Sequence, residues 1–511
     1  MTDVENEIET PKDLLRRIYD EEFGFIPTNA SMKPVHVANG LARRVLGTQT
    51  DFAPLARLLR QYVDNQKGGF KEERNPNAAI ITDYGDRFTD RFDNPPTEEA
   101  MTRFRSLAKD TLGADDAVFP TLASFTLSHA RMVTNDISDN GCGDFLATFL
   151  MAGAPTRPDT AAALLRDLLS SDTDPWTTIG WPLLDIGEEH EATLGATAQL
   201  RADRSAALLA TDSKGRFASP TLHVLRDRYD QLADYEAAHG SKLTTLRRLV
   251  LFGVFATHVH IIRRCHDVVA DGPQPPLLLD LFDGHRRSLR EASAATLQAG
   301  FRAVEQLVVD RIRQHITEVC GGDPGAYVSS LPQSDQWDAL KHEFETQSAG
   351  GEAVDALAES FWKVGYSRVG PKEVQGFPWN TLLALGRRAG YLLPYDNRGR
   401  GGKEHKRYGA NAEFAELLVA STVTPGDPVD FDDFLDRLRE SFGIVVGRTV
   451  DFDIIRHNDL SPGGAVRRSV SVIETDLRAN LHAFRDLIID IGFAKSYADG
   501  RTVVTTDETA T

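Results

Sequence analysis

Seven cations fall within twenty-one residues of the C-terminal third of the chain: Arg387, Arg388, Arg398, Arg400, Lys403, Lys406 and Arg407. Only Asp396 and Glu404 oppose them, so the segment carries +5 inside a chain of formal charge −18. Guanidinium and ammonium groups at this density suit phosphate oxygens. Tyr391, Tyr395, His405 and Tyr408 are interleaved with them and have the chemistry to stack or hydrogen-bond. In a helix followed by a hairpin, Arg387 and Arg388 would end the recognition-type helix, and the other five would decorate a wing lying beside the groove of a duplex. The competing reading is a solvated loop, or a contact for an acidic partner.

Other reactive residue types are scattered. In SAALLATDSKG, Asp212 and Lys214 follow an apolar run, with Asp185 upstream in PLLD. An acid followed by Asp-x-Lys at a strand end is how metal-dependent nucleases hold Mg²⁺ and position water. The run Ala-Ala-Leu-Leu-Ala serves equally well as helix, so a nuclease subunit is the alternative reading. His258, His260, Cys265 and His266 share one apolar segment but have no second ligand pair at zinc spacing, and they read as core histidines. The chain contains neither GxxxxGK[ST] nor GxSxG. No catalytic residue, metal or cofactor is therefore expected. Asp280, Asp283 and His285 in LLLDLFDGH read as a turn and a helix cap.

The cations are unusual in kind, since 13 of the 57 are Lys and the rest Arg. With Asp and Glu in excess, this balance resembles that of proteins from salt-loving archaea, whose carboxylate surface stays hydrated where salt screens charge. High salt would also weaken the counterion-release part of any DNA binding. Three separated cysteines, Cys142, Cys265 and Cys320, suit a reducing cytoplasm. The acidic start MTDVE is not that of a signal peptide. The longest uncharged apolar run, Leu249 to Ile262, is bracketed by Arg247-Arg248 and Arg263-Arg264 and is too short to span a bilayer. A buried core helix in a soluble, cytoplasmic protein is expected, with no membrane partner.

The elements that must position these residues are mostly helical. Residues 1–95 look mixed, with PKDLLRRIYDEEF a short helix and Ala78–Thr82 a strand-like run in a loop. From 97 to 345 apolar residues recur at threes and fours, the mark of helices with one buried stripe. The segment 350–425 reads as helix, helix and hairpin, with YLLPYD and KRYG flanking a Gly-rich tip. In 426–506, Asp430 caps FDDFLDRLRESFG, DFDIIRHND is a second short helix, and a third runs from about Thr475 to Gly492. A hairpin about Asp499-Gly500 closes that segment. Residues 507–511 form a polar tail. The fold class is thus mainly α: multi-helical N-terminal and middle domains, then tandem winged-helix (α+β) modules.

Three stretches, PPLLLDLFDGHRRSLREAS, GRRAGYLLP…KRYG and GFAKSYADGRTVV, resemble accessory, non-ATPase components of prokaryotic phage-defence systems. The systems in question are linked to DNA modification, as in phosphorothioation-dependent restriction. The likeness covers the C-terminal half and carries no catalytic motif. It implies a non-catalytic, DNA-associated role in a multi-protein complex, with double-stranded DNA and other defence proteins, an ATPase among them, as partners. A protein-only scaffold built on the same modules is the remaining alternative.

Overall fold

The computed structural model describes residues 9–27, 32–47, 62, 75–92, 94–112, 129–130, 133, 139–152, 160–171, 181–183, 208–212, 217–268, 276–350, 352–365, 379–394, 406–451, 455 and 474–507. Among them the chain is mostly helical: sixteen α-helices stand against seven strands of two or three residues. The N-terminal helices are α1 (Pro11–Phe23), α2 (Pro34–Val45), α3 (Pro76–Phe92), α4 (Glu98–Leu112), α5 (Cys142–Met151) and α6 (Thr160–Ser170). The middle of the chain holds α7 (Pro220–His239), α8 (Lys242–Val268), β1 (Leu277–Leu278), α9 (Arg287–Val319), α10 (Pro324–Ser330) and α11 (Asp335–Ser348). Next come α12 (Ala353–Gly365), α13 (Trp379–Arg388), β2 (Leu392–Leu393), β3 (Arg407–Tyr408) and α14 (Ala412–Ala420). The last elements are β4 (Val429–Asp430), α15 (Phe431–Phe442), β5 (Ile444–Val445), α16 (Glu474–Asp490), β6 (Ala494–Ser496) and β7 (Thr502–Val504).

Local chemistry sets many of the boundaries. Thr10 accepts the Asp13 amide before α1, whose first residue is proline, and Gly24 ends it at φ 79°. The apolar run Ala78–Thr82 is helical in α3 and not a strand. Pro76 fits the first helical position, Asn75 accepts from the Asn77 amide at 3.0 Å, and Ile80 and Phe88 are both buried. At the other end of the chain, Gly492 closes α16 at φ 86°, and the strands β6 and β7 pair antiparallel about Asp499-Gly500. Most of VFPTLASFTLSHARMV and of DFDIIRHND lies outside the described residues.

Contacts group the chain into two units, each assembled from separate stretches. One comprises Met1–Ser31, His258–Ala410 and Leu438–Asp486; the other comprises Met32–Thr257, Asn411–Arg437 and Leu487–Thr511. The expected segments 97–345, 350–425 and 426–506 follow chain order, which these units do not.

In the first unit, α9 buries Leu289, Leu297, Phe301, Val304, Val308, Ile312 and Ile316 at helical spacing, and it packs against α1 and α12. Glu22 of α1 is nearly buried and accepts from Arg264 (3.0 Å) and Arg311 (2.6 Å), so each of its oxygens has a cation. Two short strand pairs complete the unit, β1 with β5 in parallel and β2 with β3 antiparallel.

In the second unit, α2 and α5 cross closely and α6 and α7 pack around them. Phe252 of α8 meets Tyr229 edge-on at 5.2 Å, and Phe255 meets Phe414 at 4.9 Å. The sheet order there is β4-β7-β6, all antiparallel. By length and composition α8 could cross a membrane, yet 83% of its most apolar window is buried inside the protein, as in a core helix.

The α2–α5 crossing depends on glycine. A Cβ at Gly143 would lie 2.3 Å from the Leu41 nitrogen and 2.5 Å from the Val37 oxygen, both backbone atoms with nowhere to move. Gly143→Ala is therefore expected to destabilise the protein by at least the ~1–3 kcal/mol typical of overpacking. Denaturant unfolding checks this, and an unchanged midpoint would contradict the close crossing.

Candidate functional site

The segment chosen from its charge leads into the most densely hydrogen-bonded part of the first unit. The stretch Leu277–Asp280 runs between two strands: Leu277 and Leu279 donate to Gly443 and Val445 at 2.8 and 3.1 Å, and Asp280 donates to Tyr408 at 2.9 Å. The chain then reverses through Leu281–Gly284, with Asp283 at φ 48° and Gly284 at φ 78°. The Asp280 carboxylate sits inside this turn and accepts the amides of Phe282 and Gly284, each at 2.9 Å.

Arg407 closes the arrangement. Its Nε donates to Asp280 at 2.7 Å and its Nη2 to Asp283 at 2.9 Å, with the Arg407 side chain 4% exposed, Asp280 0% and Asp283 73%. A forked guanidinium serves two carboxylates at once, which a lysine cannot do. Gly284 lies directly under this fork: a Cβ there would stand 3.0 Å from Nη2. Asn480 holds the turn from the other side, accepting from the Leu281 amide (2.9 Å) and donating to Leu279 (2.7 Å) and Val446 (2.8 Å). Ser293 donates to Leu278 at 2.6 Å, and the Tyr408 hydroxyl and His258 Nε2 share a hydrogen bond of 3.0 Å. Burial pushes His258 down to about 3, so its ring is neutral at ordinary pH.

Those of the predicted DNA-binding cations that lie among the described residues do not project. Arg388, Lys406 and Arg407 are buried, and Arg387 is half-buried. Arg388 donates to Ala384 one turn back at 3.3 Å, and Lys406 donates to the Pro394 carbonyl. From Thr381 to Arg388, the helix α13 leaves no residue exposed, so it has no face to lay in a groove. Arg398, Arg400 and Lys403 lie outside the described residues. The hairpin itself is present, as Leu392 and Leu393 pair with Tyr408 and Arg407. What the charge count could not show is that the roots of this hairpin need cations to answer Asp280 and two carbonyls.

Asp212 is exposed beside the single bridge Thr211–Phe217, while Asp185 and Lys214 lie outside the described residues. His258 and His260 are buried, and desolvation lowers both to about 3. Cys265 donates to the Ala303 carbonyl at 2.9 Å. Among the described residues no cluster of three His, Cys, Asp or Glu has the geometry to hold a metal ion. Asn480 and Ser293 escaped the sequence reading. The signal for Asn480 was an amide standing in the apolar stripe of Leu477 and Phe484, where a buried polar group requires partners.

Arg407→Ala leaves Asp280 buried and charged without its cation and is expected to cost ~3–5 kcal/mol, whereas Asp283→Ala removes an exposed partner and should cost under ~1 kcal/mol. Urea titrations of the two variants give the comparison; equal losses would show that the buried pair is not what holds the turn. Compared with protein-family models and with curated proteins, the chain matches none.

Proposed function

We propose that this chain is a non-catalytic subunit of a multi-protein complex, of the phage-defence or DNA-processing kind that its C-terminal stretches resemble, and that it works by binding protein. One observation carries the reading. Arg388, Lys406 and Arg407 are buried in the first unit, while α16 offers an exposed surface of mixed charge. Along α16 the exposed residues are Glu474, Thr475, Arg478, His482, Asp486 and Asp490. Three of the charges are already matched, Arg478 with Glu474 at 3.2 Å and Asp486 with Arg485 at 3.1 Å. Such a face repels a polyanion and suits a polar protein interface.

We read residues 426–506 as a winged-helix module. In support, the elements run strand (β4), helix (α15), strand (β5), helix (α16), strand (β6), strand (β7), and β4 pairs with β7 in the order β4-β7-β6. Arg501 anchors the wing to the start of α15 through Asp430 at 2.7 Å. The tip presents Tyr497, 52% exposed, an aromatic of the kind enriched at protein interfaces. A second reading, contact with double-stranded DNA, keeps one favourable observation. The sequence between β2 and β3, which pair with each other, includes Arg398, Arg400 and Lys403.

Two measurements separate these readings. A photo-cross-linking amino acid at position 497 of the full chain, in its native cells, is expected to trap one protein encoded nearby. Cross-links to nucleic acid alone would sink the proposal. In fluorescence anisotropy with a labelled duplex, binding should be weak and vanish in molar KCl. Salt-resistant binding that Arg398→Ala, Arg400→Ala and Lys403→Ala together abolish would instead establish the DNA reading.

A further inference from the structure

The α2–α5 crossing in the second unit contains a carboxylate that none of the contacts above requires. Asp139 stands two residues before Gly141, the cap of α5, and lies over Gly40 of α2. A Cβ on Gly40 would come within 2.1 Å of its Oδ2. That oxygen accepts from the Gly143 amide at 3.0 Å. The side chain is wholly buried, and Oδ1 has no hydrogen-bond partner. A buried carboxylate in this state is costly when ionised, because two glycine backbones exclude water from one of its oxygens.

Among the described residues, the charged groups acting on it are Arg43, three residues beyond Gly40 on α2, and Asp144 on α5. Thr257 of α8, which faces Cys142 at 3.9 Å, is neutral, and burial pushes the Cys142 thiol up and keeps it protonated. Arg166 of α6 donates to the Val45 carbonyl, and Arg226 and Asp230 of α7 pair with each other at 3.6 Å.

We propose that Asp139 makes the α2–α5 crossing proton-sensitive: the crossing is closed while the carboxyl is neutral, and ionisation loosens it. Desolvation is the main cause that raises its pKa from 3.8 to about 6; Asp144 adds to the rise, while Arg43 and the amides of Gly143 and Gly141 oppose it. Since the folded value lies above the unfolded one, the contribution of this group to stability is complete below 3.8. It is lost as pH rises through 6. At neutral pH the transition is nearly complete, and the closed form is already weakened.

Hydrogen–deuterium exchange on the full chain, corrected for intrinsic rates, tests this. Between about pH 5 and about pH 7.5 the protection of α2 and α5 should fall roughly tenfold relative to α9, and in Asp139→Asn this relative fall should disappear. A fall of the same size in the variant, or no relative fall in the wild type, would overturn the proposal. Should the variant not fold, the wild-type comparison of α2 and α5 with α9 decides alone.

Discussion

Arg407 and Asp280 form a pair with almost no access to water, and much of the first unit is arranged around it. Asp280 belongs to the strand that joins β5 to β3, and its carboxylate shapes the turn that follows. Arg407 belongs to the β2–β3 hairpin, whose Tyr408 carbonyl accepts the Asp280 amide. Two segments far apart in sequence are thereby fixed in register by one charge pair and the amides around it. Such a pair adds little net stability over an apolar substitute, but either charge left alone would be expensive. Its contribution is to permit one alignment of strand, turn and hairpin and to penalise others.

The helices surrounding this centre follow simpler rules. Along α9 the buried residues recur every three or four positions, so the helix packs by its stripe alone. Where polar groups enter the interior they arrive as matched sets: Glu22 with two arginines, and Glu236 with Arg248 and Thr245. Asp139 differs from these sets, as Asp451 does, since one of its oxygens is matched and the other is not.

Much of the secondary structure was legible because its causes are local. Thr10, Ser219 and Asn411 cap helices from adjacent positions, Gly492 ends α16, and Asp499-Gly500 turns the last hairpin. The strand expected at Ala78–Thr82 failed for a local reason too, as Asn75 and Pro76 start a helix that a window of apolar residues cannot reveal. The candidate site was far less legible. Its cations read as surface charge because the acids that claim Arg407 lie more than a hundred residues earlier, and no periodicity links them. The fate of Lys406 turned on a single carbonyl, that of Pro394, which carries no charge signature at all.

The burial of the Arg407–Asp280 contact has a bearing on ionic strength. In molar salt the Debye length shrinks to about 3 Å, and attraction between exposed ions fades. Pairs such as Arg103 with Glu99 are open to that screening, with both partners about three-quarters exposed. Between strand and turn there is no room for a counterion to enter. The protein thus keeps its interior alignment in brine or in dilute buffer alike, while the repulsion among its surface carboxylates rises and falls with the medium.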